Sequence, residues 1–173
     1  MAQVNYEALI RNVPDFPIPG VQFKDITTLL RNGPAFRAVI DGLAAPYHEQ
    51  QVDIVAGVES RGFIFSAPVA YQLGAGLVPI RKPGKLPAET VEVAYTLEYG
   101  TNTLQMHADA FPRGARVLLV DDLLATGGTI AAAAELVAKL GGEIVGLAFV
   151  IELTFLSGRA QLGNYPIVSL VQY

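Results

Sequence analysis

Cysteine is absent from the 173 residues, which excludes disulfides, thiolate metal sites and a cysteine nucleophile. Histidine occurs only as His48 and His107, leaving little material for a histidine-based mechanism. Basic charge is also scarce. Against 16 Asp and Glu stand 12 Lys and Arg, a net charge of −4, so no broad cationic face is available for nucleic acid or an anionic membrane. Gly or charged residues break every apolar run well short of the roughly 20 residues that a membrane helix needs. The opening MAQVNYEALIRNVPDFPIPG has no basic segment followed by an apolar one, so no signal peptide is expected. These absences lead to the expectation of a cytoplasmic protein without nucleic-acid or membrane partners.

What is present is a 51% hydrophobic chain with 16% charged residues, enough for one domain over 1–173 with a substantial core. Proline and glycine divide it into alternating units. Asp53 to Val58, a helical stretch from Phe63 to Leu73, and Gly76 to Ile80 read as a βαβ unit. A second unit runs from Arg116–Val120 through a glycine turn into an Ala-rich helix, Ile130 to Leu140, and on to Ile144–Ile151. Runs such as VLLV and IVGLAFVI are apolar without alternation, as expected of strands buried on both faces. The predicted fold is α/β, a mostly parallel twisted sheet flanked by helices, with ligands bound at the carboxyl ends of its strands.

Two segments fall outside this pattern. Residues 1–33 are read as an N-terminal hood, with the proline-rich stretch from Asn12 to Leu30 as an ordered irregular flap. From Thr90 to His107 the alternation of Val91, Val93, Tyr95, Leu97 and Tyr99 with polar residues predicts a protruding β-hairpin lid that turns at Gly100.

Several signatures fail on inspection. Gly84-Lys85 lacks the glycine five residues upstream that a Walker loop needs, since position 79 is Pro79. Gly74 and Gly76 lack the third glycine of a dinucleotide fingerprint, Val52 replaces the second histidine of a zinc-protease motif, and no serine has a nucleophile-elbow setting.

VLLVDDLLATGGT survives. Ala125, Thr126, Gly127, Gly128 and Thr129 form a strand-to-helix turn in which backbone N–H groups and a helix N-terminus favour an anion, or which simply caps the helix. Asp121 and Asp122 just before it lose solvation and need donors or a cation. They suit the vicinal hydroxyls of a sugar whose phosphate occupies the turn, unless one caps the turn and the other is a solvated strand end. Arg81, Lys82 and Lys85 suit a polyanion, or form a solvated basic loop.

This stretch resembles the phosphoribosyl diphosphate motif of type I phosphoribosyltransferases. The resemblance extends through FPIPGVQFKDIT, GVESRGFIF, IRKPGKLP, LEYG and VSLVQY to the adenine-using branch of that family. It implies transfer of a ribosyl 5-phosphate from phosphoribosyl diphosphate to adenine, forming AMP and diphosphate, with Mg²⁺ held mainly by the substrate. By the same resemblance Ala125 to Thr129 hold the 5-phosphate, and Asp121 and Asp122 the ribose hydroxyls. Ser60, Arg61, Arg81 and Lys85 meet the diphosphate. Val21, Gln22, Phe23, Lys24 and Leu123 frame the adenine. Glu98 exchanges a proton with the purine, Tyr99 shields the site and Arg61 shares in catalysis. A homodimer is implied, because the family's counterpart of Arg81 can reach a neighbouring subunit. Two alternatives stay open, a 6-oxopurine phosphoribosyltransferase and a non-catalytic sensor of phosphoribosyl diphosphate.

Overall fold

In the computed structural model, which describes residues 5–97 and 100–173, the chain opens with a hairpin of β1 (Arg11–Pro14) and β2 (Gln22–Asp25), followed by the single helical turn α1 (Thr27–Leu30). The flap expected to be irregular is thus paired, Arg11 opposite Asp25 and Pro14 opposite Gln22. Prolines 17 and 19 lie only in the connecting loop, and the Arg11 guanidinium bridges Asp25, so the proline count concealed two short strands.

Helix α2 (Gly33–Ala44) starts cleanly because the Asn32 side chain accepts the Ala35 N–H and Pro34 occupies the first turn. It buries Ala35, Val39, Ile40, Leu43 and Ala44 on one stripe. Next come β3 (Ile54–Val58), α3 (Gly62–Leu73) and β4 (Gly76–Ile80), the first βαβ unit as predicted. Gly74 ends α3 in the left-handed conformation, φ 65°, which a glycine adopts without strain.

The predicted hairpin is β5 (Thr90–Leu97) paired with β6 (Gly100–His107). Gly100 is the first residue of β6, opposite Leu97, rather than the turn itself. Val93, Leu104 and Met106 root the hairpin in the main core, and an Arg81–Gln105 bridge ties it to the end of β4. The second unit follows as β7 (Arg116–Leu124), α4 (Gly128–Lys139) and β8 (Glu143–Glu152), and β9 (Ile167–Gln172) closes the list.

The five sheet strands run parallel in the order β4-β3-β7-β8-β9. Val117 and Leu119 of β7 face the core beneath α4 and the hairpin, whereas Leu118 and Val120 face the core beneath α2 and α3. Both faces are therefore dry, which is why VLLV shows no alternation. Each such side chain contributes about 1.5–3 kcal/mol by leaving water. Among the described residues no helix is long and apolar enough to cross a membrane.

Candidate active site

β3 and β7 pair only from Ile54 opposite Val117 to Gly57 opposite Val120. Beyond that point β7 continues to Leu124, supported by β8 through Asp121–Phe149, Leu123–Ile151 and Leu124–Glu152. The strand is thus longer than its sequence suggested, and its last four residues have lost their neighbour on the β3 side. The order of the sheet reverses at this place, β3 leading outward to β4 and β7 leading the other way to β8. A cavity of about 690 Å³ opens there.

Asp121 and Asp122 line this cavity together, so strand alternation does not isolate them. Asp122 is buried, and its Oδ2 lies 2.9 Å from Arg61 Nε without accepting a hydrogen bond from any described group. Asp121 Oδ1 accepts the Asp122 N–H at 2.8 Å. Burial first, and then the charge of Asp122, push the Asp121 carboxyl well above the usual carboxylate range. Burial also raises Asp122, against the opposing pull of Arg61. An acidic pair short of donors suits a ligand that brings hydroxyl groups.

One residue past β7 the chain enters the anion loop. Gly127 sits at φ 91° and no side chain caps the twelve-residue helix α4, whose first-turn residues Thr129 and Ile130 line the cavity. Gly127 is also held by packing, because a Cβ there would lie 2.5 Å from the Gly158 carbonyl. On the far side of the loop the Thr129 hydroxyl lies 3.4 Å from the Tyr95 hydroxyl of the hairpin.

The cationic wall is organised by Glu59. Its carboxylate accepts Arg81 Nε at 2.7 Å and the Lys82 N–H at 3.0 Å, while Arg81 Nη1 donates to the Lys85 carbonyl at 3.1 Å. Burial raises the Glu59 carboxyl, but the Lys82 N–H and Arg81 outweigh it and hold the group below its ordinary value. The basic segment is therefore a fixed surface, with Arg61 completing it from the start of α3.

The hood supplies the opposite wall. Phe23 faces the cavity, 5.2 Å from the Arg61 guanidinium, with Phe16 set edge-on to it at 5.1 Å.

The sequence profile of the phosphoribosyl transferase domain matches residues 27–161. An adenine phosphoribosyltransferase of Chloroflexus aurantiacus is 65% identical over 173 residues, covering 100% of both chains. The chain belongs to the adenine phosphoribosyltransferase family. Among solved structures, the adenine phosphoribosyltransferase of Thermoanaerobacter pseudethanolicus superposes with a TM-score of 0.94 at 52% identity, covering 97% of this chain and 98% of that one. The Saccharomyces cerevisiae enzyme, complexed with an imino-altritol bisphosphate and adenine, gives 0.90 at 40% identity, covering 95% and 96%.

Of the residues singled out for an adenine phosphoribosyltransferase site, the cavity brings together Phe23, Ser60, Arg61, Arg81, Lys85, Asp121, Asp122, Leu123, Ala125, Thr126, Gly127 and Thr129. It does not include Gly128, which begins α4 behind the loop, or Val21, Gln22 and Lys24. Along β2 the alternation that turns Phe23 inward turns its neighbours away. Gln22 accepts a hydrogen bond from Asn12 at 2.7 Å, and Lys24 Nζ stands 3.5 Å from the centre of the Tyr173 ring. Glu98 and Tyr99 lie outside the described residues. The residue that sequence reasoning missed is Glu59. The signal was its place before Ser60-Arg61, but its partners Arg81 and Lys82 come from a different strand.

Proposed function

We propose that this chain is an adenine phosphoribosyltransferase that joins adenine N9 to C1 of the ribosyl 5-phosphate and releases diphosphate, with AMP as product. The observation that carries this reading is the acid pair near the end of β7, with an Asp122 oxygen that accepts no hydrogen bond, one loop away from an uncapped helix N-terminus. Those two features match the hydroxyls and the 5-phosphate of one sugar phosphate.

In this reading Asp121 and Asp122 accept the ribose hydroxyls, and Ala125 to Thr129 hold the 5-phosphate with backbone N–H and hydroxyl donors. Ser60, Arg61, Arg81 and Lys85 face the diphosphate, whose negative charge grows as the C1–O bond breaks. Glu59 keeps Arg81 aimed in advance, so little reorganisation is left for the transition state. Phe23 stacks on one face of the adenine and Leu123 meets the other, while Val21, Gln22 and Lys24 act through the backbone of the hood. Glu98 exchanges the proton at N7 as the N9–C1 bond forms, with Tyr99 excluding water, on the strength of the LEYG resemblance.

Among the described residues no three His, Asp or Glu side chains gather closely enough to hold a metal ion alone. A Mg²⁺ would instead arrive with the substrate and be held mainly by it, beside the carboxylate of Asp122, whose Oδ2 accepts no hydrogen bond but has the Arg61 guanidinium 2.9 Å away. Once bound, it supplies positive charge to the departing oxygens. We assign a cytoplasmic homodimer. The homodimer is supported by the exposed Ile64 and Tyr71 of α3 and the exposed Leu77 of the edge strand β4, apolar groups suited to a second copy.

The test is Mg²⁺-dependent release of AMP and diphosphate from adenine and phosphoribosyl diphosphate, with hypoxanthine and guanine as competing bases. IMP or GMP formed faster than AMP would assign a 6-oxopurine enzyme, and binding without turnover a sensor. In the same assay Glu98→Gln lowers turnover more than it weakens phosphoribosyl diphosphate; equal losses would remove its proton role.

A further inference from the structure

Glu152 is the last residue of β8 and one of the few buried charged groups, yet it faces away from the cavity. Its register places it between Leu124 at the end of β7 and Gln172 at the end of β9. Four hydrogen bonds reach its carboxylate. Arg159 donates through Nε at 2.5 Å and Nη2 at 2.6 Å, Ser169 Oγ at 2.6 Å and Gln172 Nε2 at 3.3 Å. A two-pronged guanidinium bond of this kind fixes orientation as well as distance.

The segment that carries Arg159 has few other attachments. Among the described residues, the backbone N–H groups of Leu156, Ser157, Ala160 and Leu162 bond only to carbonyls of residues 153–159. Beyond the Leu153 and Thr154 N–H bonds to the Leu124 and Tyr173 carbonyls at its start, the segment is docked on the sheet by side chains, with the Arg159 fork as a polar fastening and the buried Leu162 as an apolar one. What it presses against is the anion loop. Gly158, next to Arg159, faces Ala125 and Gly127 so closely that a Cβ on either glycine would collide with a carbonyl of the other segment.

We propose that Glu152 and Arg159 are positioning residues for the 5-phosphate loop, clamping Gly158 against Ala125 and Gly127 so that the loop is shaped before the substrate arrives. The proposal rests on the assignment of that loop to the 5-phosphate. Loosening the clamp lets Gly158 draw back and leaves the loop N–H groups unaimed, a displacement for which losses of up to about a hundredfold are ordinary. No hydrogen bond joins Glu152 or Arg159 to Phe23 among the described residues, so the effect falls first on the phosphate side.

The test uses the full chain and reads the KM for phosphoribosyl diphosphate and the KM for adenine separately, beside thermal melting. Glu152→Gln and Arg159→Met raise the phosphoribosyl diphosphate KM about ten- to hundredfold, with the adenine KM unchanged within about twofold, and Arg159→Lys recovers part of the loss. Both constants rising together, or a lowered melting midpoint with a normal phosphoribosyl diphosphate KM, overturns the proposal. Should the charged variants fail to fold, Ser169→Ala removes one bond to Glu152 and decides the matter: a rise of about threefold in that KM alone supports the clamp, and no rise overturns it. Thr129→Ala separates the two levels. If it weakens phosphoribosyl diphosphate while Glu152→Gln does not, only the clamp falls. If it binds phosphoribosyl diphosphate normally, the phosphate loop assignment itself falls.

Discussion

β7 and β8 lie side by side, and each carries a buried acid at or near its carboxyl end, but the two ends are furnished in opposite ways. Glu152 receives four hydrogen bonds, and its carboxyl is held below the ordinary value, by Arg159 first and against the cost of burial. Asp121 and Asp122, one strand away, are raised by burial, and an oxygen of Asp122 accepts no hydrogen bond among the described residues, with the Arg61 guanidinium 2.9 Å away as its ion-pair neighbour. The chain plainly has the side chains to satisfy a buried carboxylate. Where it leaves one hungry, the missing donors belong to a ligand.

The largest expected effect comes from abolishing the unsatisfied end. Asp121→Asn with Asp122→Asn lowers kcat/KM for phosphoribosyl diphosphate by about 10²- to 10³-fold, measured by AMP formation. Stability moves the other way, the melting midpoint rising by about 2–4 °C as the mutual repulsion disappears. The same substitution at the satisfied end, Glu152→Gln, lowers the midpoint; equal falls at both ends would erase the contrast.

The two ends also carry opposite pH signatures. The lowered carboxyl of Glu152 gives stability that is fully present above the unfolded value of roughly 4.3 and is lost as pH falls through its folded value. The raised carboxyl of Asp121 keeps its proton longer in the folded chain, so its contribution fades as pH climbs above roughly 3.9. Urea midpoints compared across pH 3 to 8 therefore show Asp121→Asn gaining on the parent chain as pH rises. Glu152→Gln falls behind the parent over the acidic part of that range. Parallel curves for both variants would sink the assignment.

The smallest effect tests whether a satisfied group elsewhere behaves as structure. Lys24, whose adenine contact by resemblance runs through its backbone, carries its side chain over the Tyr173 ring. Lys24→Met raises the adenine KM by only about two- to fivefold, the worth of an exposed cation–ring contact, with no change for phosphoribosyl diphosphate. A hundredfold loss would restore a direct role for the side chain.

The cavity was legible in the sequence to the degree that its chemistry is local. Ser60-Arg61, the basic segment after β4 and the run from Asp121 to Thr129 each occupy one strand end, so reading the strands located them together. The extension of β7 past Val120 was hidden, because two acids look like a strand end and the pairing that sustains them comes from Phe149 and Ile151. The β1–β2 pairing was masked by prolines that belong to its loop. Asn32 and Pro34 announced α2 and were passed over. Glu59 and Glu152 were beyond local reading, since each is defined by partners on other strands or on a distant turn.

The clasp between Lys24 and Tyr173 also ties the two ends of the described chain together. Tyr173 follows β9, which can only be seated once β8 offers its edge, and the Tyr173 carbonyl is held in turn by the Thr154 hydroxyl at 2.6 Å. The strand carrying Phe23 therefore has one of its contacts with a residue at the opposite end of the described chain. Fraying of β9 is thus communicated to the hood that carries Phe23.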